Sequence, residues 1–157
     1  VLGNGAATRV GPRTWSLSTT RPLATYFFTV CAGPYVSVLA EHDGIPLGIH
    51  ARASLGEPLE RQAEQMLSIT RASFDYYHSL FGIRYPFGEY HQVFVPEFNA
   101  GAMENPGCVT LRDQYVFRGA TTHDEVLTRS NTIAHEMAHM WFGDLVTMRW
   151  WDDLWLN

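Results

Sequence analysis

The sequence predicts an α+β fold, because strand-like and helix-like hydrophobic periods occupy separate stretches divided by glycine- and proline-rich breaks. Aromatic and β-branched runs over residues 25–30, 35–40 and 45–53 read as strands of an antiparallel sheet. Apolar residues then recur at three- and four-residue steps over residues 58–81 and 122–142, the period of amphipathic helices.

Each element has a local reason. Residues 1–20, with Gly3, Gly5, Gly11 and Pro12, carry no clear period and read as loop with one short strand. The turn signal Asp43-Gly44 separates the second strand from the third. Pro58 suits the first turn of the long helix, Gly82 its end, and Pro86 lies beyond. Residues 90–96 and 108–111 read as further strands, joined by a loop over residues 99–106. Thr122-His123-Asp124-Glu125 has the capping-box pattern and opens the second helix, which runs towards Gly143. Trp150-Trp151-Asp152-Asp153 resembles the entry to a third helix with an aspartate cap, and the tryptophans 141, 150, 151 and 155 are read as packing residues.

Composition narrows the function. Among 157 residues, 46% are apolar and 17% charged, which excludes a disordered or fibrous chain. No apolar run approaches the ~20 residues of a membrane-spanning helix. A net charge of -5 argues against a nucleic-acid-binding surface and favours small molecules or peptides as partners. All 11 basic residues are arginine, a hint of a GC-rich coding genome. The chain opens at Val1 with no secretory segment and reads as a piece of something longer. Cys31 and Cys108 are expected to be reduced thiols of a cytoplasmic protein.

The chemistry concentrates in His135-Glu136-Met137-Ala138-His139. Four helical positions turn the chain through about 400°, so the two imidazoles lie within ~40° of each other, one turn apart. Such a pair can chelate one metal ion, and zinc suits imidazole donors. Glu136 is placed to take a proton from a water that the metal activates. About 0.02 such matches are expected by chance in this composition. Two hydrogen-bonding core histidines are the alternative. The other histidines, His42, His50, His78, His91 and His123, have no chelating spacing and receive no role. Asp144, Asp152 and Asp153 are candidates to cap a helix or to orient an imidazole. Taken alone, Gly101-Ala102-Met103-Glu104-Asn105 reads as a loop with a solvated glutamate.

The two motifs together, Gly101-Ala102-Met103-Glu104-Asn105 and His135-Glu136-Met137-Ala138-His139-Met140-Trp141-Phe142-Gly143-Asp144-Leu145-Val146-Thr147, resemble the gluzincin-type zinc aminopeptidase family of aminopeptidase N. Ala24-Thr25-Tyr26, Tyr85-Pro86, Arg112-Asp113 and the stretch from Trp150 to Asn157 agree, and they are similar to actinobacterial members. The resemblance implies that residues 1–36 end an amino-terminal β domain and that residues 37–157 are the first half of a thermolysin-like catalytic domain with a mixed sheet. It implies that His135 and His139 ligate Zn2+, one ion per site, that Glu136 is the general base, and that the third ligand is a glutamate just beyond Asn157. Glu104 would pair with the free α-ammonium of a peptide, while Gly101, Ala102, Met103 and Asn105 complete the substrate-binding loop. The implied activity is removal of amino-terminal residues from peptides. Gly-Ala rather than Gly-Gly at residues 101–102 favours the peptidase over the family's epoxide-hydrolase branch. A rival expectation is that the 157-residue piece alone is inactive, a fold remnant or protein-binding piece whose apolar faces self-associate.

Overall fold

The computed structural model describes the backbone of residues 1–156 and the side chains of residues 1–154. The amino-terminal stretch holds two small ribbons. Strand β1 (Leu2–Gly3) pairs antiparallel with β4 (Val30–Cys31), and β2 (Ala7–Gly11) pairs antiparallel with β3 (Thr14–Leu17). Two sequence expectations fail here. Residues 1–20 contain three strands rather than one: β1 is only two residues long and pairs with the distant β4, and the β2–β3 hairpin is exposed, with no buried face to impose a period. Residues 25–30 are not a strand: Thr25–Phe27 forms a single 3-10 turn whose Phe27 is buried, and only Val30 joins a ribbon.

The main sheet has five strands in the order β5-β6-β7-β9-β8. Strand β5 (Tyr35–His42) and β6 (Ile45–Arg52) form the antiparallel hairpin, turning through Asp43 and Gly44, both at positive φ. Helix α1 (Gly56–Phe81) then carries the chain across the sheet, so β6 and β7 (Tyr90–Val95) are parallel, as are β7 and β9 (Cys108–Arg112). The sheet is therefore mixed, and antiparallel only at its two ends. The short β8 (Ala102–Met103) pairs antiparallel with β9 and forms an edge.

One face of the sheet packs on the helices. Leu47, Ile49 and Ala51 of β6, Tyr90 and Phe94 of β7, and Val109 and Leu111 of β9 meet Leu59, Met66 and Phe74 of α1 and Ile133 and Met137 of α2 (His123–His139). Helix α1 ends at Gly82 in the left-handed conformation, as its sequence signal predicts. The third helix begins at Trp151 as a 3-10 segment, Trp151–Leu156, with Asp152 and Asp153 inside its first turn and not as its cap. Trp141 is buried, but Trp150 and Trp151 are 69% and 48% exposed, against the expectation that they pack in the core. The side chain of Trp155 lies outside the described residues.

The opposite face carries a polar chain that the sequence does not announce. The Glu89 carboxylate accepts from Nε2–H of His91 at 3.0 Å, which leaves Nδ1 of His91 to accept from Nε2–H of His50 at 2.8 Å. Nδ1 of His50 then accepts from the Ser37 hydroxyl at 2.8 Å. The two imidazoles meet because residue 48 is glycine: a Cβ there would stand 2.3 Å from His91 Nδ1 and 2.4 Å from His50 Nε2. Burial, reinforced by the charge of His91, lowers the His50 pKa to about 3. An unfolded chain takes up this proton near pH 6.5 and the folded one does not. Stability is therefore expected to fall as pH drops below about 6.5, by roughly 3 kcal/mol at pH 4 from this group. Urea midpoints at pH 7 and pH 4 check it: His50→Gln should show a smaller loss than the wild type, and equal losses would contradict the assignment.

Candidate metal centre

Helix α2 presents the chelating pair. Its start is set by a complete capping box: Thr122 Oγ1 accepts from Glu125 N at 3.2 Å, and Glu125 Oε2 accepts from Thr122 N at 2.7 Å. Its height over α1 is set by Arg129, which is 1% exposed. The guanidinium donates to Gln62 Oε1 and Gln65 Oε1 of α1 and to the Tyr115 carbonyl, and stacks 4.5 Å from the Phe117 ring centre. Tyr77 of α1 donates to the Ala134 carbonyl at 3.1 Å, one residue before the motif.

At the other end the helix stops at His139, three residues earlier than its hydrophobic period suggests. The chain turns so that the Phe142 carbonyl lies 3.1 Å from His139 Nδ1, and since a carbonyl only accepts, Nδ1 carries the proton. His139 Nε2 is thereby unprotonated and accepts from His135 Nε2–H at 3.1 Å, and this tautomer of His139 is the one a metal ligand needs. Trp141 anchors this turn: its Nε1–H donates to the Ile83 carbonyl at 2.8 Å and its ring stacks on Phe81.

His135 Nε2 and His139 Nε2 converge to 3.1 Å, with ring planes at 89°. Two nitrogens bound to one tetrahedral zinc at ~2.05 Å would be about 3.3 Å apart, so the pair fits a single ion without rearrangement of the helix. Among the described residues no group of three or more His, Cys, Asp or Glu side chains could hold a metal. The third ligand expected just beyond Asn157 lies outside the described residues.

Acidic groups gather beside the pair. Glu136 is 5% exposed and its Oε2 is buried without a partner; burial, then the charge of Glu104, pushes its pKa up to about 8. Asp144, whose backbone N–H donates to the His139 carbonyl, has both carboxyl oxygens buried and unpartnered. Burial, then Glu104 and Glu136, pushes its pKa up to about 9. His135 is held below the usual histidine range by burial and by His139, with Glu104 opposing. Glu104, Glu136 and Asp144 are in mutual electrostatic reach, and no cation is among the causes acting on Glu136 or Asp144, so a dication or an ammonium group would relieve the site.

Glu104 reaches this cluster from the edge of the sheet. It follows β8, where Ala102 and Met103 pair with Leu111 and Thr110, and Arg112 N donates to the Gly101 carbonyl at 3.1 Å. A Cβ on Gly101 would meet only the Tyr115 hydroxyl, at an ordinary 3.6 Å. Asn105, buried, turns inward and donates to Thr110 Oγ1 at 3.3 Å, so it supports the loop. The structure thus brings His135, Glu136, His139 and Glu104 together.

Two fixtures of this loop escape sequence reasoning. Asn4 donates to the carbonyls of Phe27 and Pro106, each at 2.9 Å, and accepts from Thr29 N, pinning the amino-terminal ribbon behind the loop. Gly107, at φ 77°, passes so close that a Cβ would stand 2.4 Å from the Asn4 carbonyl oxygen, and its N–H donates to the Tyr85 hydroxyl. Only the glycines and Tyr85-Pro86 hint at these contacts in the sequence.

A chelating pair on a helix, packed beside an acid-bearing edge strand in an α+β layer, is the arrangement of a metallopeptidase-type domain. Residues 65–157 match the Peptidase family M1 domain, and the chain belongs to that family. It is 49% identical over 161 residues to aminopeptidase N of Streptomyces lividans, which covers 100% of this chain and 19% of that relative. Aminopeptidase N of Acetobacter pasteurianus is 39% identical over 146 residues, covering 90% of this chain and 40% of the relative. Tricorn protease-interacting factor F2 of Thermoplasma acidophilum is 52% identical over 94 residues, covering 58% of this chain and 12% of the relative. The chain therefore spans well under half the length of these relatives. Among the described residues no helix is long and apolar enough to cross a membrane.

Proposed function

We propose that the protein is a zinc-dependent aminopeptidase that hydrolyses the first peptide bond of peptides with a free amino terminus. The observation that carries the reading is the convergence of the two Nε2 atoms, 3.1 Å apart, beside carboxyls that lack a cation. Membership of the M1 family and the names of the relatives support it. Zinc, held by Nε2 of His135 and of His139 and by a third ligand from beyond Asn157, would supply the Lewis acid that polarises the scissile carbonyl and acidifies water. Glu136 accepts the water proton at its carboxylate and delivers it to the leaving amine. Glu104 pairs with the substrate's α-ammonium, which limits cleavage to one residue from the amino end. Gly101, Ala102, Met103 and Asn105 form the substrate-binding loop, with the outer edge of β8 offered to the substrate backbone.

In this reading residues 1–36 close an amino-terminal β domain and residues 37–157 open the catalytic one. Free thiols at Cys31 and Cys108 fit a reducing compartment, and the reading places the enzyme in the cytoplasm. Tyr76 and Leu80 of α1 and Leu127 of α2 are more than half exposed, so residues 1–157 alone are expected to self-associate and to lack useful activity.

Zinc affinity tests the centre directly. A chain extended through the next residues should take up one zinc tightly, and residues 1–157 alone should bind it at least about 100-fold more weakly. No zinc uptake by either would return His135 and His139 to the role of core histidines. Glu104 is tested on the full-length protein: Glu104→Gln should raise KM for an aminoacyl substrate by about 10-fold or more, a loss of ~1.5 kcal/mol of charge-assisted pairing. An unchanged KM would remove Glu104 from the amine site.

A further inference from the structure

Cys31 and Cys108 are the only cysteines among the 157 residues, and they lie on separate strands, β4 and β9. The fold nonetheless brings them into one small cluster with Val93, where Cys31 is 7% exposed and Cys108 fully buried. Both are free thiols, and each perturbs the titration of the other. We propose that the pair is a redox-modification site, a dithiol that a low-molecular-weight disulfide converts into a Cys31–Cys108 disulfide joining β4 to β9.

A purely apolar contact between the ribbon and the sheet would need no sulfur on either side, yet the only two cysteines of the chain share this three-residue cluster. The neighbouring Cys108 and Thr29 side chains hold the Cys31 thiol below the usual range, whereas Cys31 and then burial push Cys108 up. Cys31, 7% exposed on the outer ribbon, is the attacking group, and the fully buried Cys108 is the resolving one. Cys31 thiolate attacks one sulfur of the small disulfide, forms a mixed disulfide and expels the first thiolate. Cys108 then loses its proton to that thiolate, attacks Cys31 Sγ and expels the second thiolate, which takes up the proton Cys31 had released. Two protein thiols are oxidised and one small disulfide is reduced to two thiols. Access requires the β1–β4 ribbon, only two residues long on each strand, to open. The modified strand is the one that β8 pairs with, and Cys108 N donates to the Asn105 carbonyl, so the staple sits directly behind the loop that carries Glu104.

The test uses the folded full-length protein with oxidised glutathione as the probe, followed by acid quench, alkylation and peptide mapping. The expected result is recovery of the peptides bearing Cys31 and Cys108 joined to each other, with both sites alkylated again after dithiothreitol. In Cys108→Ser the expected product is a stable glutathione adduct on Cys31. Quantitative alkylation of both cysteines in the oxidant-treated wild type would overturn the proposal, as would a lasting glutathione adduct on wild-type Cys31. If Cys108→Ser does not fold, the wild-type map alone decides.

Discussion

Glu136→Gln in the full-length protein is expected to lower kcat by about 10³-fold while leaving zinc content and KM near the wild-type values. The substitution keeps the shape of the side chain and removes only its ability to take and return a proton. Glu136 faces inward and contributes no nitrogen to the chelating pair, so the metal should stay. Folding should not suffer either, because Oε2 has no hydrogen-bond partner to lose and burial already disfavours the charged carboxyl. Steady-state kinetics on an aminoacyl chromogenic substrate, with metal analysis of the same preparation, check this. Activity within threefold of the wild type would remove Glu136 from the role of base.

The second large effect is on stability. Arg129→Ala is expected to cost about 3–5 kcal/mol, because it strands Gln65 Oε1 and the Tyr115 carbonyl in the interior and leaves a cavity against Phe117. Arg129→Lys should recover less than half of that, since an ammonium group cannot reach three acceptors in the guanidinium's fan or stack on the ring. Urea denaturation measures both. A loss below about 1 kcal/mol for Arg129→Ala would mean that α2 holds its place without this hub. A loss of about 3–5 kcal/mol is a large share of the stability of a domain this size, so the helix that carries His135 and His139 is seated by a residue outside that motif.

Much of this was legible in advance where the signal is local. The capping box at Thr122 and Glu125, the left-handed Gly82 and the Asp43-Gly44 turn are each written in a few consecutive residues and form as read. The i, i+4 spacing of His135 and His139 is likewise a property of one helix, and the imidazoles converge as the geometry requires. What the sequence hides is pairing at a distance. Asn4 and Pro106 lie 102 residues apart, and nothing at either position signals the other. Arg129 reads as one more charge on a helix until Gln62, Gln65 and the Tyr115 carbonyl close around it. Residues 25–30 have strand composition, yet burying Phe27 behind Asn4 demands a turn there, and the tertiary requirement overrides propensity. The histidine chain from Glu89 to Ser37 joins three strands and depends on a missing side chain at Gly48, a feature that no spacing rule can express.

The bond between His139 Nδ1 and the Phe142 carbonyl bears on what can be transplanted. A designer who copies the five residues from His135 to His139 onto an unrelated helix copies the spacing but not the orientation of the second ring. In an uninterrupted helix the carbonyl of the residue three positions on is committed to the backbone ladder and points along the axis, away from the ring. Here the helix has already ended, and the turn through Gly143, at φ 129°, swings that carbonyl back. The portable unit is therefore not the motif but the motif with its exit, residues 135–146, together with a wall for Trp141 to lean on. Grafts that omit the exit should bind metal with one ring free to flip and pay for it in affinity.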